Sequence, residues 1–315
     1  MKIGFLFAGQ GAQTVGMGKD IYEQSSIAKD LFDKANEMLG NDIADICFNG
    51  PEAELTKTEN TQPGIFTVSA ALFEILKSKG IDADMYAGFS LGEYSALYAA
   101  GMISFEDCVK LVRKRGLYME EAVPAGKGGM AAILGLENEA VEKICRQAET
   151  KGVVSAVNYN CPGQLVISGE MDAVKYACEL AEKQGAMRAI LLKVSGPFHT
   201  TLLTSAGENL YQDLSDITFT FSTDKTVISN ATAKPYEKGN EKELLKKQVY
   251  TPVYREKSMR FMQENGINTF VEIGPGRTLK GFMRKIDRKT TCYNINDLET
   301  LEDTVNKLNE LPSAE

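Results

Sequence analysis

Along this 315-residue chain, short apolar runs alternate with stretches in which apolar residues recur three and four positions apart. Residues 3–7, "IGFLF", form an apolar run ended by Gly9 and Gly11, the pattern of a strand buried on both faces of a parallel sheet. Ile27, Leu31, Phe32, Ala35, Met38 and Leu39 then follow helical spacing. "TQPGIFTVSAALFEILKSKG" at 61–80 predicts a helix that opens near Pro63 and stops at Gly80. "DMYAGF" reads as a strand and is followed by a helix reaching Gly101. A further helix spans 104–123, capped by Ser104 with Asp107 at the capping-box position. This alternation implies a parallel sheet covered by helices.

Between 127 and 193 the rhythm changes. "MAAILGL", "VVSAVNYN", "LVISG" and "AMRAILLKV" read as strands, with helices at 137–152 and 171–185 and a turn at "CPGQ". The order β-α-β-β-α-β is that of a ferredoxin-like unit. The expected organisation is therefore a large α/β domain from 1–126 and 194–315, with 127–193 inserted as a subdomain. "PAGKGG" and "SGPFH" form the crossing points. Beyond Thr200 the α/β pattern resumes, with a strand at "TVISNA", helices near 241–250 and 257–265, and "FVEIGPG"; the terminal "LPSAE" is expected to fray.

Composition narrows the class. With 43% hydrophobic and 25% charged residues the chain can bury a large core. No apolar run approaches the roughly 18 residues of a membrane span, and "MKIGFLF" is too short for a secretory h-region. These features point to a cytoplasmic protein without a membrane partner. The net charge of −8 disfavours nucleic acid as a partner. Local basic pairs at Lys246-Lys247, Arg284-Lys285 and Arg288-Lys289 read equally as solvated helix faces. Six dispersed cysteines without a Cys-x-x-Cys pair argue against a metal site and against a disulfide framework.

The candidate chemistry starts at Gly88-Phe89-Ser90-Leu91-Gly92, which fits a strand-to-helix elbow bearing a serine nucleophile, although turns of this composition also occur without chemistry. Such a serine needs a base, and His199, in the loop "VSGPFHT", is the chain's single histidine. It is either that base or a satisfied structural residue. The backbone N–H of Leu91, at the start of the helix after the elbow, is a natural oxyanion donor, and the N–H of Gln10 in "AGQGAQ" a second. A phosphate loop fits poorly, because position 14 is Thr14 and Gly18-Lys19 is followed by Asp20. Arg115 lies on the edge of the stripe formed by Phe105, Cys108, Val109, Val112 and Met119. A guanidinium so placed needs an anion, either a protein carboxylate or that of a substrate.

With these residues in view, "FAGQGAQTVGMG", "TQPGIF", "GFSLGEYSAL", "RKRGLYMEEAVPAGKGGMAAILGL", "NYNCPGQLVISG", "VSGPFHTTLL", "ISNATAKPY", "QVYTPVYR" and "EIGPGRTL" resemble, in order and spacing, the bacterial malonyl-CoA:acyl carrier protein transacylases to about residue 295. The resemblance implies an α/β-hydrolase-like large domain, a ferredoxin-like insert, and ping-pong acyl transfer with no bound cofactor. Malonyl-CoA would be the donor, and the phosphopantetheine thiol of acyl carrier protein the acceptor. It further implies Ser90 as nucleophile, His199 as base and acid, Arg115 on the malonyl carboxylate, Gln10 and Leu91 as oxyanion amides, and the Gln248 carbonyl orienting His199. Phe198 matches the bulky residue that disfavours an α-methyl branch. Phe89 departs from the histidine usual in the family, which implies altered substrate affinity with intact chemistry. Competing readings are a Ser-His thioesterase, against which Arg115 speaks, and a non-catalytic carrier-protein binder, which would be expected to lose Ser90 or His199. An acyltransferase loading polyketide carriers shares every residue named.

Overall fold

The computed structural model describes residues 2–124, 126–194 and 196–310. The expected fraying at 311–315 therefore lies outside the described residues, as do single positions in both crossing segments.

The first apolar run is strand β1 (Ile3–Phe7), buried along its whole length. Four helices follow: α1 (Lys19–Gln24), α2 (Ser26–Leu39), α3 (Ile43–Asn49) and α4 (Glu52–Thr56). Of these, only α2 carries the extended apolar spacing that the sequence displays; the other three have seven residues or fewer. Helix α5 (Thr58–Ser78) begins five residues before Pro63 rather than at it. The missing proline N–H removes only one bond from a helix otherwise sheathed in core, and burial outweighs that loss.

Strand β2 (Met85–Gly88), helix α6 (Gly92–Ala99) and helix α7 (Phe105–Glu121) match expectation, and the Ser104 side chain accepts the Asp107 N–H at the start of α7. The middle segment folds as β3 (Gly128–Leu134), α8 (Asn138–Ala148), β4 (Val154–Cys161), β5 (Gln164–Glu170), α9 (Met171–Lys183) and β6 (Arg188–Leu191). Its strands form an antiparallel sheet in the order β4-β5-β3-β6, with a core of its own under α8 and α9. This is the ferredoxin-like arrangement.

The chain then continues through α10 (Thr204–Ser215), β7 (Thr226–Ile228), α11 (Glu241–Gln248), α12 (Arg255–Glu264), β8 (Thr269–Ile273), α13 (Thr278–Ile286), β9 (Thr291–Ile295) and α14 (Leu298–Asn309). Here α10, α13, β9 and α14 go beyond the elements read from the sequence. Strand β9 is only partly buried along most of its length, so it lacks the continuous apolar run that marks β1. The large sheet is parallel, in the order β7-β2-β1-β8-β9. In such a sheet ligands meet the carboxyl ends of the strands, where loops from neighbouring strands converge. The loops leaving β1 and β2, which pair directly, carry Gln10 and Ser90.

The elbow after β2 explains its two glycines sterically. A Cβ on Gly88 would sit 1.9 Å from the carbonyl carbon of Gly92, and one on Gly92 would sit 2.2 Å from the Phe7 carbonyl oxygen. Helix α6 therefore packs directly against the backbone of β1, and Ser90 between the glycines is forced into a left-handed conformation, φ 52°. Gly92→Ala should lower stability by about 2 kcal/mol or more, because the obstructing atoms are backbone and cannot yield by a rotamer change. A urea midpoint equal to that of the parent chain would contradict this close packing.

Candidate active site

Two residues outside the usual backbone basins face each other. His199, φ 64°, follows the small unit where the chain re-enters the large one, and its Nε2 lies 2.8 Å from Ser90 Oγ. On the other side of the ring, Nδ1 lies 2.9 Å from the Gln248 carbonyl oxygen, at the end of α11. A carbonyl can only accept, so Nδ1 carries the proton and the neutral ring presents a lone pair on Nε2 to the serine hydroxyl. His199 is 3% exposed. Desolvation, followed by the nearby Arg115 charge, lowers its pKa to about 3. The ring is therefore held as a free base.

Arg115 comes from the buried face of α7 and is 1% exposed. One terminal nitrogen donates to Gln62 Oε1 at 2.8 Å; the other donates to Gln248 Oε1 at 2.9 Å and to Ser90 Oγ at 3.1 Å. Every one of these partners is neutral, and the guanidinium also lies over the Tyr94 ring, 5.4 Å from its centroid. The chain thus buries a cation against dipoles rather than a carboxylate, so that no contacting anion cancels its charge. Burial lowers the Arg115 pKa. Ser90 Oγ, accepting from Arg115, is left to donate its own proton to His199.

Gln10 and Leu91 complete the arrangement. A Cβ on Gly9 would fall 2.1 Å from the Phe89 carbonyl oxygen, so the loop after β1 abuts the elbow. Leu91 forms the cap of α6, just ahead of the Gly92, Glu93 and Tyr94 N–H groups, which turn back onto the Phe89, Ser90 and Leu91 carbonyls. Phe198 is buried and lines the cleft beside His199. Phe89 lines it too, in an edge contact with Phe282 at 6.4 Å between centroids. The cleft, about 250 Å³, runs between the two units: Met130, Asn158 and Val166 of the small sheet oppose Gln10, Ser90 and His199. The structure thus brings Ser90, His199, Arg115, Gln10, Leu91, Gln248 and Phe198 together at the carboxyl end of the large sheet.

Sequence reasoning missed the residues behind them. Gln62, Glu93, Asn230 and Tyr236, and the side chain of Gln248, form one buried polar cluster. Asn230 accepts the Ser90 N–H at 2.7 Å and donates to the Gly88 carbonyl at 2.8 Å, tying the elbow to the end of β7. The available signal was a glutamate set inside the apolar helix "LGEYSALYAAG", a polar residue too costly to bury without a purpose.

Comparison with known proteins agrees with this geometry. The family model described as "Acyl transferase domain" matches residues 4–292. The chain is 48% identical over 313 residues to a malonyl CoA-acyl carrier protein transacylase of Bacillus subtilis, covering 98% of both chains. The Escherichia coli K12 protein of the same name is 42% identical over 295 residues, 93% of this chain and 95% of that one. Among solved structures, the Clostridium perfringens transacylase superposes with TM-score 0.94 at 46% identity, covering 98% of each chain. A malonyl-transacylase solved with a type II polyketide acyl-carrier protein gives 0.95 at 36% identity, covering 98% of this chain and 100% of that one. A half-buried serine hydrogen-bonded to a buried imidazole, a cation without a carboxylate and this degree of likeness lead to one conclusion: the chain belongs to the acyl transferase domain family, among its malonyl CoA-acyl carrier protein transacylases.

Proposed function

We propose that the protein transfers a malonyl group from malonyl-CoA to the phosphopantetheine thiol of acyl carrier protein through a malonyl ester on Ser90. The observation that carries this reading is the free base at 2.8 Å from a hydroxyl that a buried, anion-free arginine also touches. Ser90 Oγ attacks the thioester carbonyl while its proton passes to His199 Nε2. The imidazolium so formed is stabilised by the Gln248 carbonyl on Nδ1, so no carboxylate has to touch the ring as a third member. The backbone N–H groups of Gln10 and Leu91 receive the oxyanion. When the C–S bond breaks, His199 returns the proton to the departing thiolate. The carrier thiol then repeats the sequence in reverse, giving its proton to His199 and releasing Ser90.

Arg115 selects the acyl group. Its neutral partners hold the guanidinium in place without consuming its charge, and a malonyl carboxylate supplies the missing anion. Phe198 beside the base limits bulk on the α carbon. Residues 127–193 serve as an inserted subdomain whose sheet forms the opposite wall of the cleft. We place the protein in the cytoplasm: its six cysteines are all free thiols, and among the described residues no helix is long and apolar enough to cross a membrane. The likeness to a transacylase solved with a polyketide carrier protein leaves fatty acid and polyketide carriers as alternative acceptors, separable by assay with each.

Intact-protein mass spectrometry after mixing with malonyl-CoA should show one malonyl adduct that is stable in buffer and lost when holo-carrier protein is added. Ser90→Ala should form none. An adduct that decays in buffer alone would identify a hydrolase instead. Arg115→Ala should reduce kcat/KM for malonyl-CoA by about 2–4 kcal/mol, roughly 30- to 700-fold, while acetyl transfer falls far less. Equal losses for the two acyl groups would remove the carboxylate role. Phe198→Ala should raise the methylmalonyl to malonyl transfer ratio by about tenfold, measured in direct competition; an unchanged ratio would transfer the selection to another residue.

A further inference from the structure

Glu93 is wholly buried three residues beyond the nucleophile, and the transfer mechanism above makes no use of it. Its Oε1 accepts the Asn230 N–H at 3.1 Å and the Tyr236 hydroxyl; its Oε2 accepts Gln248 Nε2 at 2.8 Å. That same Gln248 nitrogen donates to the Ser90 carbonyl at 2.7 Å, while Gln248 Oε1 accepts from Arg115 and the Gln248 backbone carbonyl accepts from His199. One residue therefore touches the base, the carboxylate clamp and the nucleophile's backbone, and the carboxylate behind it fixes which way its amide faces.

We propose that Glu93 is a positioning residue for acyl transfer, whose ionised carboxylate locks the Gln248 amide so that Arg115 and His199 are held in register with Ser90. This inference rests on the transferase reading. The locking is a matter of donor and acceptor count. Glu93 as an anion offers only acceptors, and all three groups aimed at it are donors. If Gln248 flipped its amide, its NH2 would face the Arg115 cation and its oxygen would face both the Ser90 carbonyl and Glu93. A proton or an amide at position 93 introduces a donor where only acceptors fit, releasing that constraint.

The anion also offsets the buried charge of Arg115 at one remove, through the intervening glutamine. The titratable and charged groups around it are Arg115 from α7, Tyr94 on its own helix, Tyr236 after β7, and His199 across Gln248. Strand β1 contributes none, Tyr86 of β2 is bonded to Asp82, and Glu74 of α5 is bonded to Tyr98. Burial raises the Glu93 pKa to about 7, against its three hydrogen bonds and Arg115, which lower it. His199 stays neutral far below that pH. An acid limb near pH 7 in the acylation step therefore reports Glu93 rather than the base.

The test is the single-turnover rate of Ser90 malonylation from pH 5 to 9, by rapid quench and mass spectrometry, in wild type, Glu93→Gln, Gln248→Met and the double variant. Wild type should lose rate as pH falls through about 7. Glu93→Gln should be slower by about 10- to 100-fold and lack that limb. In the Gln248→Met background the Glu93→Gln change should cost less than about twofold, because the two act as one unit. Tyr236→Phe, a milder change should Glu93→Gln fail to fold, removes one donor to the carboxylate and should move the limb upward by about one pH unit. A folded Glu93→Gln with wild-type rate and profile, fully multiplicative losses in the double variant, or an unmoved limb in Tyr236→Phe would each overturn the role of Glu93 while leaving transfer intact. Absence of any malonyl-Ser90 ester in wild type would overturn the transferase reading and this inference together.

Discussion

A guanidinium buried without a carboxylate against it is the constraint around which this site is organised. Removing such a charge from water costs several kcal/mol unless dipoles replace the lost hydration. Gln62, Gln248 and Ser90 provide those dipoles to Arg115, and the Tyr94 face provides a further contact. A carboxylate in direct contact would stabilise the free protein more but would compete with the substrate for the fork. Glutamine oxygens orient the cation and leave its charge available. The nearest compensating anion, Glu93, is held one residue away, behind Gln248.

That arrangement has consequences for the base. Arg115 touches the hydroxyl that His199 also touches, so protonating the ring would set two cations beside one oxygen. Burial and this repulsion act in the same direction, keeping the imidazole neutral and able to accept a proton. In the proposed reaction the imidazolium would thus be a short-lived state, sustained by the Gln248 carbonyl and relieved when the leaving thiolate is protonated. An incoming malonyl carboxylate would neutralise Arg115 and ease the formation of that imidazolium. In the proposed reaction, substrate charge would therefore do more than dock the acyl group: it would remove part of the electrostatic opposition to general base action.

The fold serves the site through close backbone approach. Ser90 stands at its angle because α6 lies directly against β1, and the loop of Gln10 meets the elbow because Gly9 leaves room for the Phe89 carbonyl. Asn230, from the end of β7, bonds the elbow on its far side. The serine is therefore held by neighbouring strands on both flanks of β2, which explains how a left-handed backbone at a non-glycine residue is sustained. The ferredoxin-like unit adds the second wall of the cleft, chiefly apolar at Met130 and Val166 with Asn158 between the two strands that carry them in sequence.

Sequence alone determined the features that depend on neighbours along the chain. The apolar run of β1, the spacing of α2 and α7, the βαββαβ rhythm of the insert and the Gly-x-Ser-x-Gly elbow are all local patterns, and the solitary histidine left no choice of imidazole. Short or half-exposed elements such as α1, α3, α4 and β9 escaped that reading because they bury too little for a periodic signature. Whether Arg115 meets a protein carboxylate or awaits a substrate could be decided only by tertiary structure, since its partners come from α5 and α11, 53 and 133 positions away. The same holds for Glu93, Asn230 and Tyr236. A helix records in its sequence that a glutamate is buried, but the donors that make burial tolerable arrive from another part of the chain, and only folding brings them together.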